Sequence, residues 1–320
     1  MKDLLLVEGI IEDIEYVELT EEEYNDTMVY DIGVADNHNF ICENTLVHNC
    51  HNIPSNTIMK VFNQAENAYY RVGVSATPWR DAGDDILIES VLNIRRPELS
   101  LNASKLIQKG KLMPCTINMI NFDNSNIEWQ NSYNKTYQKA ISHNIERNEV
   151  INKITLKEVR NGRTPLILIN KIEHGRLLLA SLKRRLGYTE QTIVFNGKEY
   201  TIGNVEFVSG EDDINRRQAV FKSVKDGFTK VLIGSTIADE GLDLPRLDVL
   251  ILAGSGKSST RAFQRVGRVL RLHPGKTNAI VYDFIDSNLT FYKHAMVRKA
   301  LYETEPEWKI NIKEVKDVIY

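Results

Sequence analysis

From residue 50 onward the chain is punctuated by short, mostly apolar runs. These are YYRVGVSAT (69–77), PLILIN (165–170), VEFVSG (205–210), KVLIGS (230–235), DVLILAG (248–254) and AIVYDF (279–284). Runs this short and this apolar read as strands covered on both faces. Helical stretches such as SNTIMKVFNQAE (55–66) separate them. Strand, helix, strand in repetition requires a crossover between parallel strands, so the fold class is α/β with a mostly parallel sheet and flanking helices. KEYTIG (198–203) reads as part of a β-hairpin inserted in that lobe.

Residues 1–49 follow a different grammar. LLLVEGII, MVYDIGVA and NFICENTLVHN are short strand patterns separated by turn residues, an all-β signature. This segment holds 13 acidic residues and one basic residue, Lys2, for a net −12. The rest of the chain holds 30 acidic and 39 basic residues, for +9, which the overall net charge of −3 conceals. A basic body suits a phosphate backbone; an acidic head suits a basic protein partner. Each is also compatible with a plain solvated face. No apolar run is long enough to span a membrane. The acidic N-terminus is no signal peptide, and Cys42, Cys50 and Cys115 make no disulfide framework. A cytosolic protein is expected.

The two grammars meet at LVHNCHNIP (46–54). An Asn side-chain amide can attack its own main-chain carbonyl and cut the chain as a succinimide. A neighbouring His can protonate the departing amine, and a following Cys is a nucleophile once deprotonated. His48, Asn49 and Cys50 supply these three parts in a row. His48, Cys50, His51 and Cys42 are also zinc-ligand types, but His-x-Cys-His sets ligands too close for the usual spacing.

VYDIGVADNHNF (29–40) followed by ICENTLVHNC (41–50) resembles the two C-terminal splicing blocks of inteins. The resemblance implies that Asn49 cyclises, that Cys50 accepts the upstream acyl chain as a thioester, and that His48 assists cleavage. It implies that His38 and Asp31 assist proton transfer and thioester exchange. Asn44-Thr45 stands where many inteins have Asn-Gly, a departure expected to slow splicing without abolishing it. The first intein nucleophile is absent, so the segment resembles the C-half of a split intein. Its implied partner is a basic N-half fused to the N-terminal part of the joined protein.

Residues 50–285 resemble a superfamily 2 helicase from the middle of its D-E-x-H motif to the end of its second RecA-like lobe. The carrying residues are Cys50-His51, SATPWR (75–80), STIADEGLDLP (235–245) and QRVGRVLR (264–271), with the phage and XPB-like branch nearest. The resemblance implies that His51, Ser75 and Thr77 couple the nucleotide site to lobe movement. It places Gly241, Asp243 and Gln264 near ATP and Arg268 and Arg271 on its γ-phosphate as arginine fingers. Spaced three apart, Arg268 and Arg271 would share a helix face; that face could instead bind nucleic-acid backbone. Arg265 is expected to be structural. Glu240 stands where the family often has Arg. Thr236 and Lys257 are expected on nucleic acid, with DNA ranked ahead of RNA though no residue decides between them.

No metal site is expected in this chain. Mg²⁺ belongs to an Asp-Glu pair on the missing half, where splicing would restore D-E-C-H. The isolated chain is therefore expected not to hydrolyse ATP. The compact motor suggests a phage origin by analogy.

The expected organisation is an intein fragment (1–49), a partial first lobe (50–110), a polar, Asn-rich connector with a strand then a helix (111–150), a second lobe (151–300) and a motif-free tail (301–320). Two alternatives remain open. One is a nucleic-acid-binding helicase lobe that does not splice. The other is a stand-alone P-loop ATPase using Lys257 in AGSGKSST (253–260), with Asp283 as its Walker B acid. Against it, the first Gly of the P-loop pattern falls on Ile251.

Overall fold

The structure is a computed structural model. It describes the backbone of residues 39–42, 45–49, 70–74, 102–235, 244–254 and 259–319, with side chains from 102 onward except 259–261. The chain divides into two units, residues 1–38 and 39–320, and the first lies outside the described residues.

Three strands form a small sheet. β1 (Asn39–Cys42) pairs antiparallel with β2 (Thr45–Asn49), and β2 pairs parallel with β3 (Tyr70–Val74). Its register sets His48 opposite Gly73 and Asn49 opposite Val74.

The larger body begins with α1 (Ala103–Gln108), β4 (Cys115–Phe122) and α2 (Tyr133–Tyr137), which runs into a π-helical turn at Gln138–Ser142. Next come α3 (Ile145–Arg160), β5 (Pro165–Leu168) and α4 (Ile172–Leu186). The hairpin β6 (Glu190–Phe195) and β7 (Lys198–Gly203) leads to β8 (Val205–Val208), α5 (Ile214–Asp226) and β9 (Val231–Gly234). The chain continues through β10 (Val249–Leu252), α6 (Ser259–Val269) and β11 (Ala279–Asp286). It closes with α7 (Leu289–Tyr302), β12 (Trp308–Glu314) and α8 (Val315–Ile319).

Seven strands make one sheet in the order β12-β4-β11-β10-β5-β9-β8, and every pairing is parallel. β5, β8, β9 and β10 are buried at every position. Alternation along these strands divides the core between two faces. Leu166, Leu168, Leu232 and Leu250 pack with Val220 and Val224 of α5, Val266 of α6 and Ala295 of α7. Ile167, Ile233, Val249 and Ile251 pack with Ile151 and Ile154 of α3, Leu178 and Leu182 of α4 and Val318 of α8. The result is a three-layer α/β/α body.

Local chemistry fixes the ends of these elements. Asn144 caps α3 by accepting from the Arg147 N–H at 3.0 Å. α5 runs from Asp213 as N-cap to Gly227, whose φ of 81° closes the helix in the left-handed region. In the hairpin, Asn196 and Gly197 both have positive φ, 49° and 73°, as a type I′ turn requires.

The sheet extends beyond the second lobe expected at 151–300. β4, from the expected connector, pairs along all eight residues with β11 and buries Ile117, Met119 and Ile120. β12, from the expected tail, is an edge strand on β4, and its Trp308 stacks on Phe263 with ring centroids 4.9 Å apart. α1 joins the same body, because Ser104 donates to the Glu305 carboxylate from its N–H at 2.8 Å and its hydroxyl at 2.7 Å. The physical reason is edge coverage: without β4 and β12, the long buried strand β11 would expose its ladder.

Candidate functional site

In an open parallel sheet, ligands gather outside the carboxyl ends of the strands, where successive connections leave in opposite directions. Here that point lies between β5 and β10. β5 connects through α4 toward the β8 edge, and β10 connects through α6 toward β11. The residues just past these strand ends are Asn170 and Gly254.

Three side chains fix this point. Asn170 Nδ2 donates to the Gly254 carbonyl at 2.7 Å, and the Tyr137 hydroxyl donates to the same oxygen at 2.7 Å. Burial pushes the Tyr137 phenol well above its ordinary pKa, so it stays a donor. Arg147 Nη1 donates to the preceding carbonyl, of Ala253, at 2.7 Å. Arg147 is fully buried and also pairs with Asp286 through Nε at 2.9 Å, while its guanidinium lies 4.1 Å from the Phe284 ring centroid. Asn124 donates to the same carboxylate at 3.3 Å.

Gly254 is required by close approach. A Cβ there would stand 2.8 Å from Asn170 Cγ and 3.0 Å from its backbone nitrogen. Gly254→Ala is expected to lower stability by about 1–3 kcal/mol through overpacking against backbone, read as a lower urea midpoint with an unchanged m-value.

His174 lies beneath this clamp, fully buried, with Nε2 2.8 Å from Asn148 Oδ1. Asn148 Nδ2 donates to the Ser142 carbonyl, which orients Oδ1 as an acceptor and makes His174 the Nε2–H tautomer. Burial first, then the charges of Arg147 and His143, push its pKa from 6.5 to about 3. The unfolded chain therefore takes up a proton near pH 6.5 that the folded chain refuses until about pH 3. This contribution to stability is complete above pH 6.5 and is lost as pH falls, by up to about 1.4 kcal/mol per pH unit. Urea midpoints at pH 7 and pH 5 should show the loss, and His174→Gln should flatten it.

On α6, Gln264 and Arg268 are half-buried and Arg265 is buried, with Arg268 in the last turn. Arg271 lies beyond the helix expected to carry it with Arg268, because α6 ends at Val269. The Leu270 N–H bonds to the Gly267 carbonyl and the chain leaves for the His273–Lys276 turn, where Gly275 has a φ of 82°. Lys276, absent from the sequence reading, holds this exit. Its Nζ donates to the carbonyls of Arg271 at 2.9 Å, Leu247 at 2.8 Å and Pro245 at 3.3 Å. Burial lowers the Lys276 pKa to about 8.

Asp283 is no Walker B acid. It is fully buried in the middle of β11, paired to Arg298 at 2.7 and 2.8 Å, with the Tyr302 hydroxyl donating at 3.0 Å. Both carboxylate oxygens are thereby engaged in the core.

Among the other sequence-derived positions, His48 and Asn49 end β2, described by backbone alone. Asp31, His38, Cys50, His51, Ser75, Thr77, Thr236, Gly241, Asp243 and Lys257 lie outside the described residues. Among the described residues, no group of three or more His, Cys, Asp or Glu could hold a metal ion, and no helix is long and apolar enough to cross a membrane.

Comparison with known proteins gives the fold its context. Residues 146–273 match the helicase conserved C-terminal domain. The chain is 24% identical over 277 residues to the putative helicase 22 of Sulfolobus islandicus filamentous virus, covering 81% of this chain and 45% of that protein. It is 26% identical over 256 residues to the ATP-dependent DNA helicase uvsW of Enterobacteria phage T4, covering 78% and 47%. It thus spans about half the length of these curated relatives. Among solved structures, Saccharomyces cerevisiae Dbp5 bound to RNA and ADP BeF3 superposes with a TM-score of 0.53 at 12% identity, covering 86% of this chain and 63% of that one. The described body therefore has the α/β parallel-sheet fold of a helicase C-terminal lobe.

Proposed function

We propose that this chain is the C-terminal part of an ATP-dependent nucleic-acid motor whose two halves are joined by protein trans-splicing. The motor half of this reading is carried by one observation: residues 146–273 match the helicase C-terminal domain on an all-parallel sheet. In this reading Arg268 and Arg271 face the γ-phosphate, and Gln264, Gly241 and Asp243 line the rest of the nucleotide. Thr236 and Lys257 contact nucleic acid, and His51, Ser75 and Thr77 couple the two. The P-loop and the Mg²⁺-binding Asp-Glu pair come from the other half. Lys276 positions Arg271 by holding its carbonyl.

The splicing half rests on His48, Asn49 and Cys50, with Asp31 and His38 upstream. The ladder between β2 and β3 supports it. β2 ends at the seam, β3 leads into Ser75-Ala76-Thr77, and the two run parallel with Asn49 opposite Val74. A strand delivered to this position with Asp-Glu at its end would set the restored D-E-C-H beside S-A-T. In organisation, residues 1–49 are the acidic intein fragment that recruits a basic N-half, and the remainder is the C-terminal part of the joined product.

The same ladder also favours a second reading, in which β2 is an ordinary lobe strand and the chain binds nucleic acid without splicing. Asn49→Ala separates the two. Under the splicing reading the variant, mixed with the N-half, stops before chain release while oligonucleotide binding is unchanged. Under the second reading wild type and variant are alike in both assays.

A further inference from the structure

Three backbone carbonyls from two separate segments converge on one ammonium. Lys276 Nζ donates to the carbonyls of Pro245 at 3.3 Å and Leu247 at 2.8 Å, and to that of Arg271 at 2.9 Å. An ammonium has three N–H groups, so every one of them is engaged. Pro245 and Leu247 lie two and four residues after Asp243 in the sequence, and Arg271 lies three after Arg268. The lysine therefore joins the exits of STIADEGLDLP and QRVGRVLR, between which the chain runs through β10 and α6.

Both segments are turns here, not helix or strand. Leu244 and Leu247 are buried, and the Leu247 N–H donates to the Leu244 carbonyl at 3.0 Å. Past the end of α6, the Lys276 N–H donates to the His273 carbonyl at 3.1 Å, which folds the lysine back toward Arg271. Burial lowers the Lys276 pKa from 10.5 to about 8, against the attraction of Asp248 just before β10. Arg163, which pairs with Asp248 at 3.5 Å, adds to the lowering. Cys115, at the head of β4, is pushed up to about 12 by burial and stays a neutral thiol across this range.

We propose that Lys276 is a positioning residue that locks the exits of the two motif segments into one frame, and that the lock opens when the lysine gives up its proton. The proposal goes beyond the hold on Arg271 alone, and it rests on the motor reading above, in which it fixes the spacing of Asp243 and Arg271 on one nucleotide. A neutral amine has two N–H groups for three carbonyls and loses the charge-assisted strength of the contacts. One buried carbonyl then faces a lone pair instead of a donor. The folded chain releases this proton from about pH 8, so the lock is closed at pH 7 and opens as pH rises through that value.

Amide hydrogen exchange on the full chain, read by mass spectrometry and corrected for intrinsic rates, reports the lock without nucleotide. Lys276→Met should lower protection at pH 7 by about tenfold in both 244–248 and 270–276, equivalent to about 1.4 kcal/mol. Wild type should approach the variant by pH 9, while the variant stays level. Lys276→Gln keeps two N–H groups without the charge; it should fall between the two and serves as the second variant if Lys276→Met does not fold. A loss confined to 270–276, or wild-type protection unchanged between pH 7 and pH 9, overturns the lock. In the ligated product, wild-type kcat should fall above about pH 8. Lys276→Gln should start about tenfold lower and stay flat over that range. Parallel alkaline limbs in the two overturn the positioning role. The exchange arm needs neither ATP nor an N-half, so its failure is distinct from a failure of the motor reading.

Discussion

Arg298→Met is expected to lower the stability of the α/β body by about 3–5 kcal/mol, because it strands a carboxylate in the core. Asp283 is wholly inaccessible, and the Arg298 guanidinium supplies two of its contacts, at 2.7 and 2.8 Å. Arg298 also donates to the Phe284 carbonyl at 3.2 Å, so the substitution frees a backbone acceptor as well. The pair joins α7 to the middle strands of the sheet. Replacing both partners, as Asp283→Leu/Arg298→Met, should recover much of the loss, since no charge is then left in the interior. Tyr302 keeps the double variant below wild type, because its hydroxyl loses the Asp283 acceptor. Urea unfolding of the three chains measures this. A single variant within about 1 kcal/mol of wild type would mean that water or another cation reaches Asp283.

Arg147→Lys is expected to be costly in a different way. Arg147 uses the guanidinium fork on two targets at once, the Asp286 carboxylate and the Ala253 carbonyl, while its plane covers Phe284. Lysine keeps the charge but offers a point donor without the fork or the stacking plane. A stability loss of about 2–3 kcal/mol is expected from the unmet hydrogen bonds to a charged group. The functional consequence should be separable. Ala253 and Gly254 lie four and three residues before Lys257 in the sequence, so loosening them should weaken oligonucleotide binding by about tenfold, equivalent to about 1.4 kcal/mol. Arg298→Met, on α7 against the middle of β11, should leave binding by the folded fraction unchanged. Oligonucleotide anisotropy below both unfolding midpoints compares the two variants directly.

These two arginines also show what a sequence conceals. Strands buried on both faces were legible: β5, β9 and β10 are continuous apolar runs, and β8 and β11 are apolar apart from Glu206, Asp283 and Asp286. The hairpin was legible in KEYTIG; its turn proves to be Asn196-Gly197, a pair that takes consecutive positive φ. A strand was legible in the segment 111–150, but not its place inside the sheet, and β12 was not legible. CTINMINF carries Thr116, Asn118 and Asn121, and WKINIKE alternates as an edge strand does, so each looks like surface until the sheet pairs it. Arg147 and Arg298 lie in polar helical stretches and read as solvated; their partners Asp286 and Asp283 are 139 and 15 residues away.

At the site, motif chemistry pointed to Gln264, Arg268 and Arg271. It could not show that α6 ends before Arg271, or that Lys276 gathers three carbonyls behind it. Tyr137 and Asn170 carried no motif. Position alone could have found Asn170, the first polar residue after a buried parallel strand.

Whether the seam joins two half-motors is tested by one mixing experiment. The chain is combined with an N-half that carries a P-loop, ends in Asp-Glu and continues into a basic intein fragment. Intact mass and ATP turnover are then followed together. The account predicts a ligated product reading Asp-Glu-Cys-His, a released 49-residue piece ending in succinimide, and ATPase activity that rises with ligation. Two folded partners that never ligate, or ATP turnover by this chain alone, would contradict it.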